Sequence, residues 1–300
     1  MEQAIVTSNL SCRYGSTEAV TNLTMQVESR SIYALLGPNG AGKTTTLRML
    51  MNIIAPSSGS ANVLGVDSRR LGPEQFSTIG YVSENQQIPR WMTVHEFLAF
   101  CRPFYPAWDD GLCRTLLDQF ELPRDVRIGR LSRGMRVKAA LVSSLAYRPQ
   151  LLVLDEPFSG LDPVVRDDLV RGVLELAGEE RWTVVISSHD LDEVERLVDC
   201  VGFIDAGRLV LSEPFADLHA RFRRIDVTAQ EWIERPQASA QWFAIQTAGR
   251  VVRFIESRHV EGETERRIAA MAPGAAVDVQ PMTLREIFIA LVRHQREVSR

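Results

Sequence analysis

The sequence predicts an α/β fold: a parallel-sheet core interrupted by a helical insert and followed by a small C-terminal α+β domain. Three observations predict it. Apolar, β-rich runs such as "LLVLD" alternate with helical patterns, and strands without a polar face belong in a parallel sheet covered on both sides. A glycine-rich stretch, "GPNGAGKTTT", joins one such run to one such helix. After Leu211 the texture changes to short alternating strands and amphipathic helices.

Taken in order, β-rich runs occupy residues 4–10, 21–27, 32–36, 79–82, 151–154, 183–187 and 201–204. Helical periodicity follows several of them, at 43–52, 94–101, 111–120, 133–147, 164–176 and 191–198. Thr93 and Glu96 in "TVHE" form a capping box for the second of these helices. Between Pro89 and Leu131 the pattern is purely helical, which places an inserted subdomain at about 85–147. In the tail, "RIDVTA", "WFAIQTA" and "VVRFIE" read as strands, and "TERRIAAMA" and "LREIFIALVRHQ" as helices. The expected domains are 1–215 and 216–300, with the boundary inside 212–224.

Composition narrows the function. The 300 residues carry a net charge of -4, against the basic excess of a general nucleic-acid binder, so no nucleic-acid partner is expected. Residues 1–220 hold 21 basic and 28 acidic side chains and residues 221–300 hold 13 and 10, so the charge balance shifts where the texture does. Cys12, Cys101, Cys113 and Cys200 form no CxxC pair and fit reduced thiols in a cytoplasmic protein. The N-terminal stretch lacks the layout of a secretory signal, and no window approaches eighteen apolar residues. Work at a membrane would need another chain to supply the span. Of the 34 basic residues only Lys43 and Lys138 are lysines. A lysine therefore persists at 43, where a compact ammonium rather than a guanidinium fork is wanted.

"GPNGAGKTTT" satisfies G-x-x-x-x-G-K-[ST], a P-loop, after an apolar run and at the start of a helix. Gly37, Pro38, Asn39, Gly40, Ala41 and Gly42 form the loop, whose backbone N–H groups curl around phosphates. Lys43 reaches the β- and γ-phosphates, the Thr44 hydroxyl binds Mg²⁺, and Thr45 suits the α-phosphate. "LLVLDEP" ends a buried strand in two carboxylates: Asp155 for water-mediated Mg²⁺ binding and Glu156 as the general base for an attacking water. A solvated acidic turn would explain "DE" alone, but not beside a P-loop. His189 in "SSHD", one strand further on, contacts the γ-phosphate or orients Glu156. Asp162 in "SGLDP" sits in the turn directly after Glu156.

The set "GPNGAGKTT", "LSRGM", "LLVLDEP", "SGLDP" and "SSHD", in that order, resembles the ATP-binding subunit of ABC transporters over about residues 5–215. The resemblance is to the bacterial exporter type. It implies a P-loop NTPase core with a parallel sheet, an N-terminal antiparallel β portion and the inserted helical subdomain. It also implies an ATPase using ATP and Mg²⁺, a dimer with a second copy or a homologous ATPase chain, and a separate transmembrane permease at the inner face of the cell membrane. Tyr14 matches the aromatic that stacks on adenine, Glu156 the catalytic glutamate, and His189 the switch histidine. Ser132 and Gly134 match the two phosphate-contacting positions of the family's signature. Two departures stand out. The LSGGQ signature appears as "LSRGM", with Arg133 and Met135 at its third and fifth positions. Glu84 stands where the family's Q-loop has glutamine; its carboxylate can also coordinate Mg²⁺, with Gln86 as the alternative for that role.

A soluble ABC-type ATPase acting in DNA repair or on ribosomes is the rival reading. Such proteins carry tandem cores or long coiled coils, and this chain shows one core and no sustained heptads. A nucleotide-gated interaction protein would lack a general base, against Glu156. Ser132 opens a second phosphate-seeking helix start, and the helical arm carries it away from Lys43. It is therefore expected to serve ATP held by another subunit. The insert also gathers Trp91, Met92, Phe97, Phe100, Phe104, Tyr105 and Trp108. Trp91 or Tyr105 is expected to receive a helix of the membrane subunit.

Overall fold

The structure, a computed structural model, describes residues 2–84, 86–192, 194–195, 198–229 and 241–298. The chain divides into two compact units, residues 1–212 and 213–300.

In the first unit, β1 (Gln3–Tyr14), β2 (Thr17–Leu23) and β3 (Gln26–Glu28) precede β4 (Ile32–Leu36), which runs through the glycine-rich loop into α1 (Lys43–Leu50). β5 (Ser58–Val63), β6 (Val66–Asp67) and α2 (Pro73–Phe76) lead to β7 (Ile79–Ser83). The insert holds α3 (Val94–Cys101) and α4 (Asp110–Gln119), and α5 (Arg133–Leu145) returns to β8 (Leu151–Asp155). α6 (Pro163–Glu180), β9 (Thr183–Ser188), β10 (Cys200–Asp205) and β11 (Arg208–Pro214) complete the unit.

Two sheets result. β1 pairs antiparallel with β2, β3 and β5, giving the antiparallel N-terminal portion. The central sheet runs β11-β10-β4-β9-β8-β7, and β10, β4, β9, β8 and β7 are mutually parallel. β8 and β9 are buried along their whole length, as the unbroken apolar runs require. Leu35, Leu47, Leu50, Val63, Leu151 and Val153 pack in one core joining both sheets to α1. The two caps read from sequence, Thr93 and Ser132, are present, and Asp109 caps α4 in addition. Thr93 Oγ1 accepts from Glu96 N at 3.2 Å while Glu96 Oε2 accepts from Thr93 N at 2.8 Å, closing the capping box of α3.

Some elements depart from the sequence pattern. β5 ("SGSANV") has strand-poor composition and is a strand because β1 offers it an antiparallel partner. β6, α2 and β11 likewise carried no periodic signal. Of the helix expected at 191–198, residues 191, 192, 194 and 195 are bend and turn and residue 198 is irregular, while residues 193, 196 and 197 lie outside the described set. Leu191, Val194 and Val198 are buried, in keeping with their amphipathic spacing.

The second unit contains α7 (Phe215–Arg221), β12 (Arg223–Thr228), β13 (Trp242–Ala248), β14 (Val251–Glu256), α8 (Glu263–Met271), β15 (Ala276–Pro281) and α9 (Leu284–Val298). Its sheet runs β13-β14-β12-β15 with antiparallel neighbours, so this unit is α+β. Ile225, Val227, Trp242, Val252, Phe254 and Ile268 form its core. Glu256, fully buried, accepts from Trp242 Nε1 at 2.9 Å and from Arg258 N at 2.9 Å, and pairs with Arg267. The pairing offsets the cost of taking a carboxylate out of water. β15 and α7 are additional to the elements expected from the sequence.

Candidate functional site

Parallel strands present all their carboxyl ends at one edge, which is where open α/β sheets bind ligands. Here β4 ends in the glycine-rich loop, β8 in Asp155 and Glu156, and β9 in Ser187, Ser188 and His189. The loop's tight course needs glycine at both ends. A Cβ on Gly37 would lie 2.2 Å from Ile204 O, and one on Gly42, at φ 106°, 2.6 Å from Ala19 O.

Lys43, at the start of α1, is 4% exposed. Its Nζ donates to Gly37 O at 2.6 Å and Pro38 O at 3.1 Å and pairs with Glu156 Oε1 at 3.0 Å. The other oxygen of that carboxylate, Oε2, lies 2.7 Å from His189 Nδ1. Glu156 adopts φ 49°, a left-handed conformation that non-glycine residues rarely take, with its N–H held by Ser187 Oγ at 3.0 Å. One carboxylate thus links the lysine of the loop to the histidine of the next strand.

Asp155 lies just behind. Its Oδ1 accepts from Thr44 Oγ1 at 2.9 Å and from Ser187 Oγ at 2.9 Å. Burial pushes the Asp155 carboxyl above the usual carboxylate range, opposed by those two hydroxyl bonds and by the charge of Arg48. Among the described residues no group of three or more His, Cys, Asp or Glu is placed to hold a metal ion. Thr44 and Asp155 instead offer two adjacent oxygens, the kind of sparse foothold Mg²⁺ takes when substrate phosphates supply further ligands.

The cleft in front of these groups, about 290 Å³, is lined by residues 39–45 with Ala19, Glu84, Glu156, Ser159 and His189. Tyr14, Ser132, Gly134 and Asp162 lie outside that lining. Tyr14 is 51% exposed at the end of β1. Asp162, also exposed, accepts from Arg166 N at 2.9 Å through its carbonyl, at the start of α6. A Cβ on Gly134 would come 3.2 Å from Val165 Cγ1. Ser132 is the N-cap of α5, its Oγ accepting from Met135 N at 3.2 Å. Ser132→Ala should therefore lower stability by about 1 kcal/mol. An unchanged denaturation midpoint would show that the cap contributes nothing. Glu84 N–H donates to Asp155 O at 2.8 Å, and Gln86 Oε1 accepts from Ser83 N at 3.4 Å.

Ser187, which bridges Asp155 and the Glu156 backbone, was not singled out from sequence. Its only signal is its position in "SSHD", since its pairing depends on the β8–β9 register that sets Asp155 opposite it.

Residues 20–159 carry the pattern described as "ABC transporter". The bacitracin transport ATP-binding protein of Bacillus licheniformis is 35% identical over 226 residues, which cover 75% of this chain and 74% of that one. The chain belongs to the ABC transporter ATP-binding family. This is a family of ATPases. The lantibiotic transport ATP-binding protein of Streptococcus pyogenes is 32% identical over 209 residues, 69% of this chain and 89% of that one. A solved ATP-binding subunit of an ABC transporter matches with a TM-score of 0.64 at 26% identity, covering 72% of this chain and 92% of that one. The α/β core expected from the alternating strands and helices is thus the ABC ATPase core. Among the described residues of this ABC ATPase, no helix is long and apolar enough to cross a membrane.

Proposed function

We propose that the chain is the ATP-hydrolysing subunit of an exporter and drives a separate membrane-spanning subunit. The observation that carries the enzymatic part is the Lys43–Glu156–His189 linkage across the mouth of the cleft. In this reading the N–H groups of residues 39–45 cradle the phosphates of ATP, and Lys43 exchanges its loop carbonyls for phosphate oxygens. Thr44 and Asp155 would hold Mg²⁺, with Glu84 within the same cleft. When bound, Mg²⁺ would supply charge neutralisation at the phosphate oxygens. Glu156 takes a proton from the attacking water, and His189 fixes the orientation of that carboxylate. Tyr14 stacks on the adenine. Ser132 and Gly134, and Asp162 beside them in function, face nucleotide held by a second copy or a homologous chain.

Export is supported by the names of the relatives, which are transport ATP-binding proteins for bacitracin and for a lantibiotic. The chain then works in the cytoplasm, peripheral at the inner face of the cell membrane through its permease. The helical insert supplies a surface for that contact. Trp91 is 70% exposed, and Phe100 and Phe104, 53% and 64% exposed, meet edge to face at 5.5 Å. Patches of this kind mark interfaces. Tyr105 is differently placed. Its ring stacks at 3.8 Å on the buried Tyr147, so it belongs to the packing of the insert against the turn that follows α5.

The tagged full chain, extracted with detergent from native membranes, should bring down a polytopic membrane protein. Vesicles carrying the pair should then move solute only with hydrolysable ATP. Trp91→Ala should reduce recovery of that partner severalfold while leaving the isolated chain's ATPase rate unchanged, whereas Tyr105→Ala should lower thermal stability. A chain recovered entirely away from membranes and without a polytopic partner would overturn the transport reading.

A further inference from the structure

We propose that Arg133 is a positioning residue for Glu84: its guanidinium holds the carboxylate on the side away from the nucleotide cleft and gives it up when nucleotide and cation bind. This rests on reading the cleft as the Mg²⁺–ATP site.

Glu84 stands on a wall between two cavities. It lines the 290 Å³ cleft beside Lys43 and Thr44, and also a neighbouring cavity of about 370 Å³ with Gln86, Gln87, Arg133 and Arg136. Its backbone is pinned, because its N–H donates to Asp155 O at 2.8 Å. Only the side chain can choose a side. Its Oε1 lies 3.3 Å from Arg133 Nη2, in the second cavity. An oxygen shared with a guanidinium is a poorer ligand for a cation held by Thr44 and Asp155, because the guanidinium competes for its lone pairs and repels the cation.

The partner is also poised. Arg133 is the first residue of α5, whose first turn holds no acidic residue. A cation at the positive end of a helix dipole is disfavoured, and Glu84 supplies the compensation. The same guanidinium lies over Gly160, where an added Cβ would come 2.7 Å from Nη1 and where φ is +67°. Gly160 belongs to the turn after Glu156, next to Ser159 on the cleft wall. One side chain of the signature helix thus touches Glu84 and the turn that follows the general base. The two side chains are 46% and 38% exposed, so the pair biases Glu84 by no more than about fivefold. A bond of that strength yields readily to a divalent cation.

The test is a double-mutant cycle on the full chain, reading ATPase rate against free Mg²⁺ at saturating ATP for the parent, Arg133→Ala, Arg133→Lys, Glu84→Gln and the Arg133→Ala/Glu84→Gln double variant. Arg133→Ala should lower the half-saturating Mg²⁺ concentration about two- to fivefold, with Arg133→Lys between it and the parent. In the Glu84→Gln background the same change should have no effect on Mg²⁺ dependence. Loss of packing alone would not move the Mg²⁺ midpoint in one background and spare it in the other. An equal shift in both backgrounds, or none in either, overturns the proposal. Mn²⁺ binding in the presence of a non-hydrolysable ATP analogue, followed by water-proton relaxation, yields the same cycle without turnover. A parent chain that hydrolyses no ATP at any Mg²⁺ concentration would count against the site reading, while the Mn²⁺ cycle would still decide the Arg133–Glu84 pair.

Discussion

Glu156→Gln should retain ATP binding and lose turnover by a factor on the order of 10² or more. The amide is nearly isosteric with the carboxylate, so the left-handed backbone at 156 and the bond its N–H donates to Ser187 Oγ have no steric reason to change. What changes is the proton chemistry: an amide cannot accept a proton from water. The ion pair with Lys43 is also lost. Its side chains are only 5% and 11% exposed, so the buried lysine keeps its two loop carbonyls but loses its anionic partner among the described residues. A nucleotide phosphate can replace that partner, and ATP should accordingly bind at least as tightly as in the parent. Binding is measured with a fluorescent ATP analogue and turnover by phosphate release. Hydrolysis at the parental rate would remove Glu156 from the role of base, and would leave the linkage to His189 a structural one.

Mixing Lys43→Ala chains with Ser132→Arg chains should restore ATPase activity that neither variant shows alone. Ser132 caps α5 in its own chain and lies outside the lining of the cleft that holds Lys43. A helix start with exposed phosphate-binding groups and no such role in its own cleft fits a partner's nucleotide. In a two-fold pair each site would take its P-loop from one chain and its Ser132 from the other. A mixed dimer then has one site damaged twice and one intact. With random pairing, activity recovers to roughly a quarter of the parental value. If Ser132 acted within its own chain, both sites of the mixed dimer would be damaged and mixing would restore nothing. The Ser132→Arg chain alone should also fail to dimerise with ATP. Normal ATP-dependent dimerisation and hydrolysis by that variant would end the two-chain reading. Ser132→Ala and Ser132→Arg both remove the cap, and only arginine also fills the space a partner's nucleotide would occupy, so comparing the two separates lost helix stability from a blocked contact.

What the sequence determined by itself is whatever neighbouring residues decide. The P-loop is legible because glycine spacing, a lysine and a threonine within ten residues set the backbone path and its N–H groups. Thr93 with Glu96 and Ser132 with Met135 are caps closed over three residues. β4, β8 and β9 announce themselves as apolar runs because both their faces are buried. Tertiary structure alone decided the rest. β5, with its serines and glycine, is a strand only because β1 lies beside it. Ser187 meets Asp155 only because β8 and β9 are in that register. Trp91 and Tyr105 sit in the same aromatic-rich stretch, yet one is exposed and the other stacks on Tyr147. Glu84 and Arg133 looked like two separate departures from a family pattern until the fold set them 3.3 Å apart. Periodicity and capping depend on side chains a few residues away, whereas these pairings depend on which strand ends and helix starts the packed core brings to the same edge.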